Sequence, residues 1–384
     1  MDVIAIYPAF DYSINEMAMV WKKLCANGTV RCFVVTGDSD VLKKSNSTLF
    51  YEHSDGLEIH RFTAPLKSHN TAISLLAKRI KPQLIFCAVS YNMPTALMIQ
   101  KQINVPIILH TEYFLDKEKL LNRRHYLGIK FLQPIAHYLY TRWCIQKTAK
   151  ILCSDPLDFK GNGVHEFEEL RYLPWPHPGG AGYMELEHRD VNSSVYIGSL
   201  SKWKGVEALH EFYAHLLRHQ PDFHLKIIGP ALDSAAREAI DSLKKLGNER
   251  VDIRESCTRS EALELIGKSF FIFSPLDSMG WGLIGDAWTV GTPVISIGQH
   301  YDLKDGVNCW ITPNPDDFVA AIQHLKNNPD LWQKLSAEGI KTAQSHSVEA
   351  VASILQDELL SFVSTANESN SALLARPKNT KTYS

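Results

Sequence analysis

The sequence predicts an α/β protein with two doubly wound domains, each built on a mainly parallel sheet covered by helices on both faces. Three observations lead to this fold class. Short apolar runs alternate with amphipathic helical segments in the first half of the chain, and the same alternation restarts near residue 193. A segment rich in proline and glycine separates the two halves. Short apolar runs without polar alternation are typical of parallel strands that are buried on both faces.

In the first half, strands and helices follow one another regularly. Strands are predicted at residues 3–7, 30–36, 57–62, 84–88 and 106–110. Helices are predicted at residues 15–26, 72–80 and 94–102. Because apolar runs separated by helices indicate a sheet with crossover connections, residues 1–173 are predicted to form the first domain.

The segment YLPWPHPGGAGY begins the predicted linker, residues 174–192, because prolines and glycines at this density do not hold a regular element. The second domain is predicted over residues 193–346. Its strands are expected at residues 194–197, 224–228 and 251–254, with a further apolar run from residue 271, and its helices at 205–218, 234–246, 260–267 and 329–344. Residues 347–363 are predicted to form a closing helix, and the polar tail at 364–384 is expected to be disordered.

Composition and charge limit the possible functions. The chain has 384 residues, enough for two domains, and 45% of them are hydrophobic. A net charge of −2 gives no general attraction to nucleic acid. Seven scattered cysteines without a CxxC pair indicate buried, reduced thiols of a cytosolic protein. No apolar run reaches the ~18 residues of a spanning helix, so the protein is expected to be cytoplasmic.

The most informative stretch of the sequence is FIFSPLDSMGWGLIGDAWTVGTPVIS, at residues 271–296. It predicts a buried strand, a glycine-containing loop flanked by Asp277 and Asp286, a helix that opens at Leu283 or Ile284, and a second strand. Ligands of open α/β sheets bind at the carboxyl ends of strands, and a helix N-terminus there can hold a phosphate or a hydroxyl. No GxGxxG follows the first strand and the chain has no GxxxxGK[ST] motif, which argues against a dinucleotide site and against a P-loop.

Four segments of the second half resemble the C-terminal domain of family 4 glycosyltransferases, which are retaining enzymes of the two-domain GT-B fold with two Rossmann-like domains. In order, they are VYIGSLSKWKGVEAL (195–209), LKIIGP (225–230), residues 271–296 and DGVNCWITPNPDDFVAAI (305–322). VPIILHTEY (105–113) provides a looser match in the first half. The sequence departs from the family pattern in four places. Asp286 replaces a glutamate, Asp277 stands one residue away from the expected carboxylate position, Ser199 replaces an arginine, and the family's N-terminal glycine-rich loop is missing.

The resemblance implies a role for each candidate residue. The catalytic residues would be His110, Lys204 and Asp277, and Glu112 would bind the acceptor. The donor would be bound by Ser199, Lys202, Lys204, Gly280, Trp281, Gly282, Leu283 and Asp286. Lys204 and the helix N-termini would neutralise the leaving diphosphate, and Asp286 would hold the ribose hydroxyls. Neither a cofactor nor a metal is implied.

The function implied is a retaining, metal-independent, hexosyltransferase-like glycosyltransferase. It would move a sugar from a nucleotide-diphosphate donor to an envelope polysaccharide, lipopolysaccharide or glycolipid acceptor. Two alternatives remain open at this point: a degenerate GT-B binding or scaffold protein, and a nucleotide-sugar epimerase. Individual residues also have ordinary explanations, because Asp286 could be a helix cap and His110 a strand-end histidine.

Residues 117–150 are basic and aromatic, with a single acidic residue. Such a composition is typical of helices at a membrane interface, although a solvated helix pair of the first domain would also explain it. The sequence therefore predicts peripheral contact with the inner face of the cytoplasmic membrane.

Overall fold

The computed structural model describes residues 1–8, 10, 16–37, 51–54, 56–62, 66–111, 132–156, 170–180, 182–275, 281–298 and 300–374. The chain folds into two compact units. The first contains Met1–Pro176 together with the C-terminal segment from Val348, and the second contains His177–Ser347.

The first unit is built on an eight-stranded sheet. Its strands are β1 (Asp2–Tyr7), β2 (Arg31–Thr36), β3 (Tyr51–Ser54), β4 (Leu57–Arg61), β5 (Leu84–Ala88), β6 (Ile107–Thr111), β7 (Lys150–Cys153) and β8 (Leu170–Tyr172). The strand order is β3-β4-β2-β1-β5-β6-β7-β8. Every pair is parallel except β3 with β4.

Helices cover both faces of this sheet. They are α1 (Glu16–Ala26), α2 (Asn70–Ile80), α3 (Met93–Ile103) and α4 (Leu132–Ile145). Because side chains alternate along a strand, Val3 and Ala5 of β1 join the core under α1, whereas Ile4 and Ile6 join the core under α2, α3 and α4. This burial on both faces explains the continuous apolar runs in the sequence.

The second unit has a six-stranded sheet whose strand pairs are all parallel. Its strands are β9 (Asp190–Ile197), β10 (His224–Ile228), β11 (Val251–Arg254), β12 (Ser269–Ser274), β13 (Val294–Ser296) and β14 (Cys309–Ile311), in the order β11-β10-β9-β12-β13-β14. Two α/β units with parallel sheets confirm the predicted fold class. Between β8 and a short 3-10 helix at Leu186–His188, the described residues form no helix or strand apart from one bridge between His177 and Ser347.

The helices of the second unit are α5 (Val206–His219), α6 (Ser234–Gly247), α7 (Arg259–Lys268), α8 (Trp281–Thr289), α9 (Pro315–Asn327) and α10 (Pro329–Ser345). Three of them begin at a side-chain cap. Asp233 accepts from the Ala236 N–H, Thr258 from the Glu261 N–H, and Asn314 from the Asp317 N–H. Such caps satisfy amide groups that have no partner within the helix, which explains where these helices begin.

The last helix, α11 (Val348–Leu374), packs against α1 in the first unit. Its buried face includes Val351, Leu355 and Leu359, and Glu358 forms an ion pair with the nearly buried Lys150 at 2.6 Å. We expected disorder from residue 364, but the helix continues to Leu374. No proline or glycine interrupts the chain between residue 348 and Pro377, so a helix that is fixed by packing can extend beyond its buried part.

All seven cysteines are free, and all except Cys257 are buried, which agrees with the prediction of reduced core thiols. Among the described residues, no helix is long and apolar enough to cross a membrane.

Candidate functional site

The carboxyl edge of the second sheet carries the segments that the sequence singled out. The lysine segment follows β9, and α8 follows β12, which is the neighbour of β9 in the sheet. The turns after β9 and β10 are also in close contact, because a Cβ atom at Gly229 would collide with the carbonyl oxygen of Gly198. Parallel strands bring their carboxyl ends to one edge, so the two candidate segments belong to the same region of the unit.

Lys202 and Lys204 lie in a short 3-10 helix that precedes α5. The next residue, Gly205, has φ +76°, and a Cβ atom there would collide with the carbonyl oxygen of Pro275 at the end of β12. Only glycine accepts this conformation and this contact without strain. The lysine segment is therefore packed directly against the beginning of the candidate donor loop.

The two lysines have different surroundings. The exposed ammonium of Lys202 forms an ion pair with Glu207 at 3.0 Å, and its backbone N–H donates to Asp233 at 2.8 Å. Lys204 is half-buried. Ser199, at the arginine position of the family pattern, is half-buried in the turn before the segment. An uncharged serine leaves Lys204 and Lys202 as the cations of this segment.

Asp286 lies in the second turn of α8, which begins at Trp281 and not at Leu283 or Ile284 as predicted. The sequence argument took Gly282 as part of the loop, but burial of Ile284 and Trp288 outweighs the helix penalty of glycine. Asp286 is therefore not a helix cap. Its carboxylate is mostly buried.

Two residues that sequence reasoning missed hold this carboxylate. His177 Nε2 lies 3.0 Å from Asp286 Oδ1, and Arg259 Nη2 lies 2.8 Å from the same oxygen. Arg259 Nη1 also donates to Oδ2 at 3.4 Å. The sequence offered little to indicate these two contacts. His177 is a histidine within the proline- and glycine-rich segment, and Arg259 is an arginine directly after Thr258.

The other candidates on α8 differ in exposure. The indole of Trp281 is buried and stacks on the His346 ring, with 3.9 Å between the ring centroids. Leu283 is half-buried, and Gly282 is exposed, with open space where a Cβ atom would be. Among the predicted donor-binding residues that the structure describes on α8, Gly282 therefore has the most accessible backbone. Asp277, Gly280 and Glu112 lie outside the described residues.

His110 lies near the carboxyl end of β6 in the first unit, where it is buried between Phe86 and Trp175 at centroid distances of 5.7 and 6.3 Å. Burial lowers the pKa of His110 to about 4, because the apolar surroundings disfavour the charged ring. His110 is thus a neutral imidazole near pH 7. It can donate or accept a hydrogen bond, but it cannot supply a positive charge.

Within the described part of the chain, one group of side chains has the spacing needed to hold a metal ion. It consists of Glu185, Glu187 and His188, all of them exposed, in and beside the short 3-10 helix before β9. Asp286 does not belong to this group; its carboxylate contacts His177 and Arg259.

Comparison with known proteins agrees with this geometry. Residues 192–328 match the family described as glycosyl transferases group 1. An uncharacterized glycosyltransferase of Haemophilus influenzae is 24% identical over 178 residues, which are 44% of this chain and 48% of that protein. The matched region thus spans about half the length of this curated relative.

Two solved structures extend the fold comparison to both units. HepE of Anabaena, in complex with UDP-glucose, is 14% identical with a TM-score of 0.68, covering 94% of this chain and 100% of the other. The lipopolysaccharide outer core galactosyltransferase WaaB in its apo form is 15% identical with a TM-score of 0.65, covering 94% and 99%. The chain therefore has the GT-B fold, and residues 192–328 of its second unit are similar to the group 1 glycosyltransferase family.

Proposed function

We propose that the protein is a retaining glycosyltransferase that moves a sugar from a nucleotide-diphosphate donor to an envelope polysaccharide or glycolipid acceptor. The packing of Gly205 against Pro275 carries this proposal. This contact places the segment with Lys202 and Lys204 beside the residue that follows β12. The chain then continues to α8, which carries the mostly buried carboxylate of Asp286. Both segments lie at the carboxyl edge of a parallel sheet. HepE, which shares the fold, was solved with UDP-glucose.

In this proposal each residue has a defined task. Lys204, assisted by Lys202, neutralises the negative charge that grows on the diphosphate as the glycosidic bond breaks. Asp286 accepts hydrogen bonds from the ribose, and Asp277 with the backbone of residues 280–282 contacts the donor sugar. His110 contacts the reacting sugar as a neutral ring, and Glu112 contacts the acceptor. The acceptor hydroxyl forms its bond to the anomeric carbon on the face from which the diphosphate leaves, so retention needs no side chain as a covalent nucleophile. The leaving phosphate takes the acceptor proton.

We expect sugar nucleotides to stabilise the protein without a divalent metal, because lysines and helix N-termini provide the charge that a metal would otherwise supply. In a thermal-unfolding screen with UDP-, GDP- and ADP-glucose in excess EDTA, the matching donor at a hundredfold its Kd should add about 2.7 kcal/mol of stability. Asp286→Asn should reduce this shift. Asp241→Asn, which changes an exposed carboxylate on α6, should preserve it.

Three outcomes would revise the proposal. If no sugar nucleotide stabilises the wild-type protein, its assignment as a transferase is wrong. A shift that is lost in EDTA and restored by Mg²⁺ would give one of the carboxylates a metal-binding role. Tight binding without any transfer to glycan or lipid acceptors would favour a GT-B scaffold protein.

We further propose that the first unit approaches the cytoplasmic face of a membrane, where a lipid-linked acceptor would be held. Five basic residues of the segment 117–150 lie outside the described residues: Lys117, Lys119, Arg123, Arg124 and Lys130. In the described part, α4 exposes 59% of Leu139 and 42% of Trp143, and Arg142 and Lys147 nearby are exposed. Lys150 does not contribute, because it is buried in its ion pair with Glu358.

Liposome co-sedimentation checks this membrane proposal. We expect the wild-type protein to bind vesicles containing anionic lipid, and less so as salt increases. A variant with glutamate at positions 123, 124 and 130 should bind much less, because each basic residue contributes about 1 kcal/mol near the surface. Leu139→Gln should also weaken binding. Leu232→Gln serves as the matched control, since Leu232 in the second unit is likewise 59% exposed. Equal failure of all forms to bind would indicate a soluble acceptor.

A further inference from the structure

The Asp286 carboxylate has partners from two other parts of the second unit. His177 comes from the proline- and glycine-rich segment, 109 residues away in sequence, and Arg259 comes from the first turn of α7. Oδ1 receives both short contacts, at 3.0 and 2.8 Å, whereas the Oδ2 contact with Arg259 is longer, at 3.4 Å. A carboxylate offers about four acceptor positions, so these contacts fix its orientation and leave Oδ2 with capacity for a ligand.

The hydrogen bonds define the tautomer of His177. The Gly179 N–H donates to His177 Nδ1 at 3.2 Å, so Nδ1 acts as an acceptor. In the neutral ring the proton is then on Nε2, which donates it to Asp286 Oδ1. A neutral imidazole therefore provides a directed hydrogen bond without neutralising the carboxylate.

Further contacts hold both partners in place. The His177 backbone N–H donates to the carbonyl oxygen of His346 at 2.7 Å, and its ring is packed against Gly285 on α8. Arg259 Nη2 also donates to the carbonyl oxygen of Gly179 at 2.8 Å. Because the two side chains are fixed before any ligand arrives, the carboxylate does not have to be ordered by the ligand.

We propose that His177 and Arg259 are positioning residues that aim the Asp286 carboxylate at the ribose hydroxyls and so set the preference of the donor site for ribonucleotides over deoxyribonucleotides. This inference rests on the proposed function, in which Asp286 holds the ribose. The other explanation is that the cluster only attaches the segment around His177 to α8. The two explanations differ in what happens to ribose discrimination when the cluster is disturbed.

Calorimetric titration separates the two explanations. The ligands are UDP, GDP and ADP, each with its 2′-deoxy and 3′-deoxy analogues. Hydrogen bonds to a charged group are stronger than neutral ones, so the wild-type protein should bind the preferred ribonucleotide about ten- to a hundredfold more tightly than at least one deoxy form. His177→Leu should reduce this ratio to about threefold or less. His177→Gln should keep most of it, because the amide N–H can replace the imidazole donor.

A second variant disturbs His177 without changing it. A Cβ atom at Gly285 would lie 2.5 Å from His177 Cδ2, so Gly285→Ala should displace the ring and lower the ribose ratio as His177→Leu does. Gly182→Ala is the matched control, since a Cβ atom there meets open space, and its ratio should equal that of the wild-type protein. Arg259→Gln should also lower the ratio.

The outcomes separate this inference from the proposed function. If the wild-type protein binds none of the nucleotides, the proposed function fails and the inference fails with it. If it binds ribo and deoxy forms equally, or if His177→Leu and Gly285→Ala weaken both forms by the same factor, the inference alone is overturned. A loss of discrimination that is confined to the cluster variants and rescued by glutamine supports it.

Discussion

Replacing Lys204 with alanine should lower kcat by about a hundred- to a thousandfold while leaving the fold intact. The negative charge on a leaving diphosphate is greater in the transition state than in the bound donor, so a fixed cation stabilises the transition state more than the ground state. Lys204 is the half-buried member of the lysine segment, which Gly205 packs against the end of β12. Its loss should therefore affect kcat more than the donor KM.

Steady-state kinetics with the best donor would measure this effect, together with circular dichroism to confirm folding. Lys202→Ala should cost far less, because the Lys202 ammonium is exposed and paired with Glu207. Lys245→Ala, at an exposed lysine on α6, should match the wild-type rate. Near-normal turnover by Lys204→Ala would remove the assignment of this segment to the diphosphate.

Acidification from pH 7.5 to pH 5 should destabilise the protein through two buried histidines, by about 2 kcal/mol each. Burial lowers the pKa of His110 in the first unit and of His300 in the second unit to about 4. Both values lie below the ordinary histidine pKa of about 6.5, which applies to the unfolded chain. The unfolded state therefore binds more protons between these values. The stabilisation is complete above about pH 6.5 and is lost as the pH falls toward 4.

Urea unfolding at both pH values, followed by tryptophan fluorescence, would test this expectation. His110→Gln should remove part of the pH dependence from the unfolding of the first unit, and His300→Gln should do the same for the second unit. His224→Gln is the control, because His224 is exposed at the start of β10. Unchanged pH dependence in both test variants would show that neither ring is held neutral by its surroundings.

The sequence pattern was sufficient to predict strands and helices in which buried residues recur at regular positions. Residues 224–228 and 251–254 were predicted as strands with the bounds that β10 and β11 have in the structure. The short strands β3 (Tyr51–Ser54) and β14 (Cys309–Ile311) were not predicted, because each is a brief edge strand without a long apolar run. An edge strand forms by hydrogen bonding to a neighbouring strand from another part of the chain. The local sequence pattern of the edge strand does not show this pairing.

The candidate site likewise has features that the local sequence predicts and features that depend on tertiary packing. The glycine turns, the lysine segment and the carboxylate of α8 are local features, and their order along the chain predicts a GT-B donor site. The sequence by itself thus determined the α/β class, the carboxyl-edge segments and the resemblance to glycosyltransferases. Only the tertiary structure decided that Asp286 lies within its helix and that His177 and Arg259 hold its carboxylate. The physical reason is that hydrogen-bond partners separated by 27 and 109 residues are chosen by how the elements pack, which no local periodicity encodes.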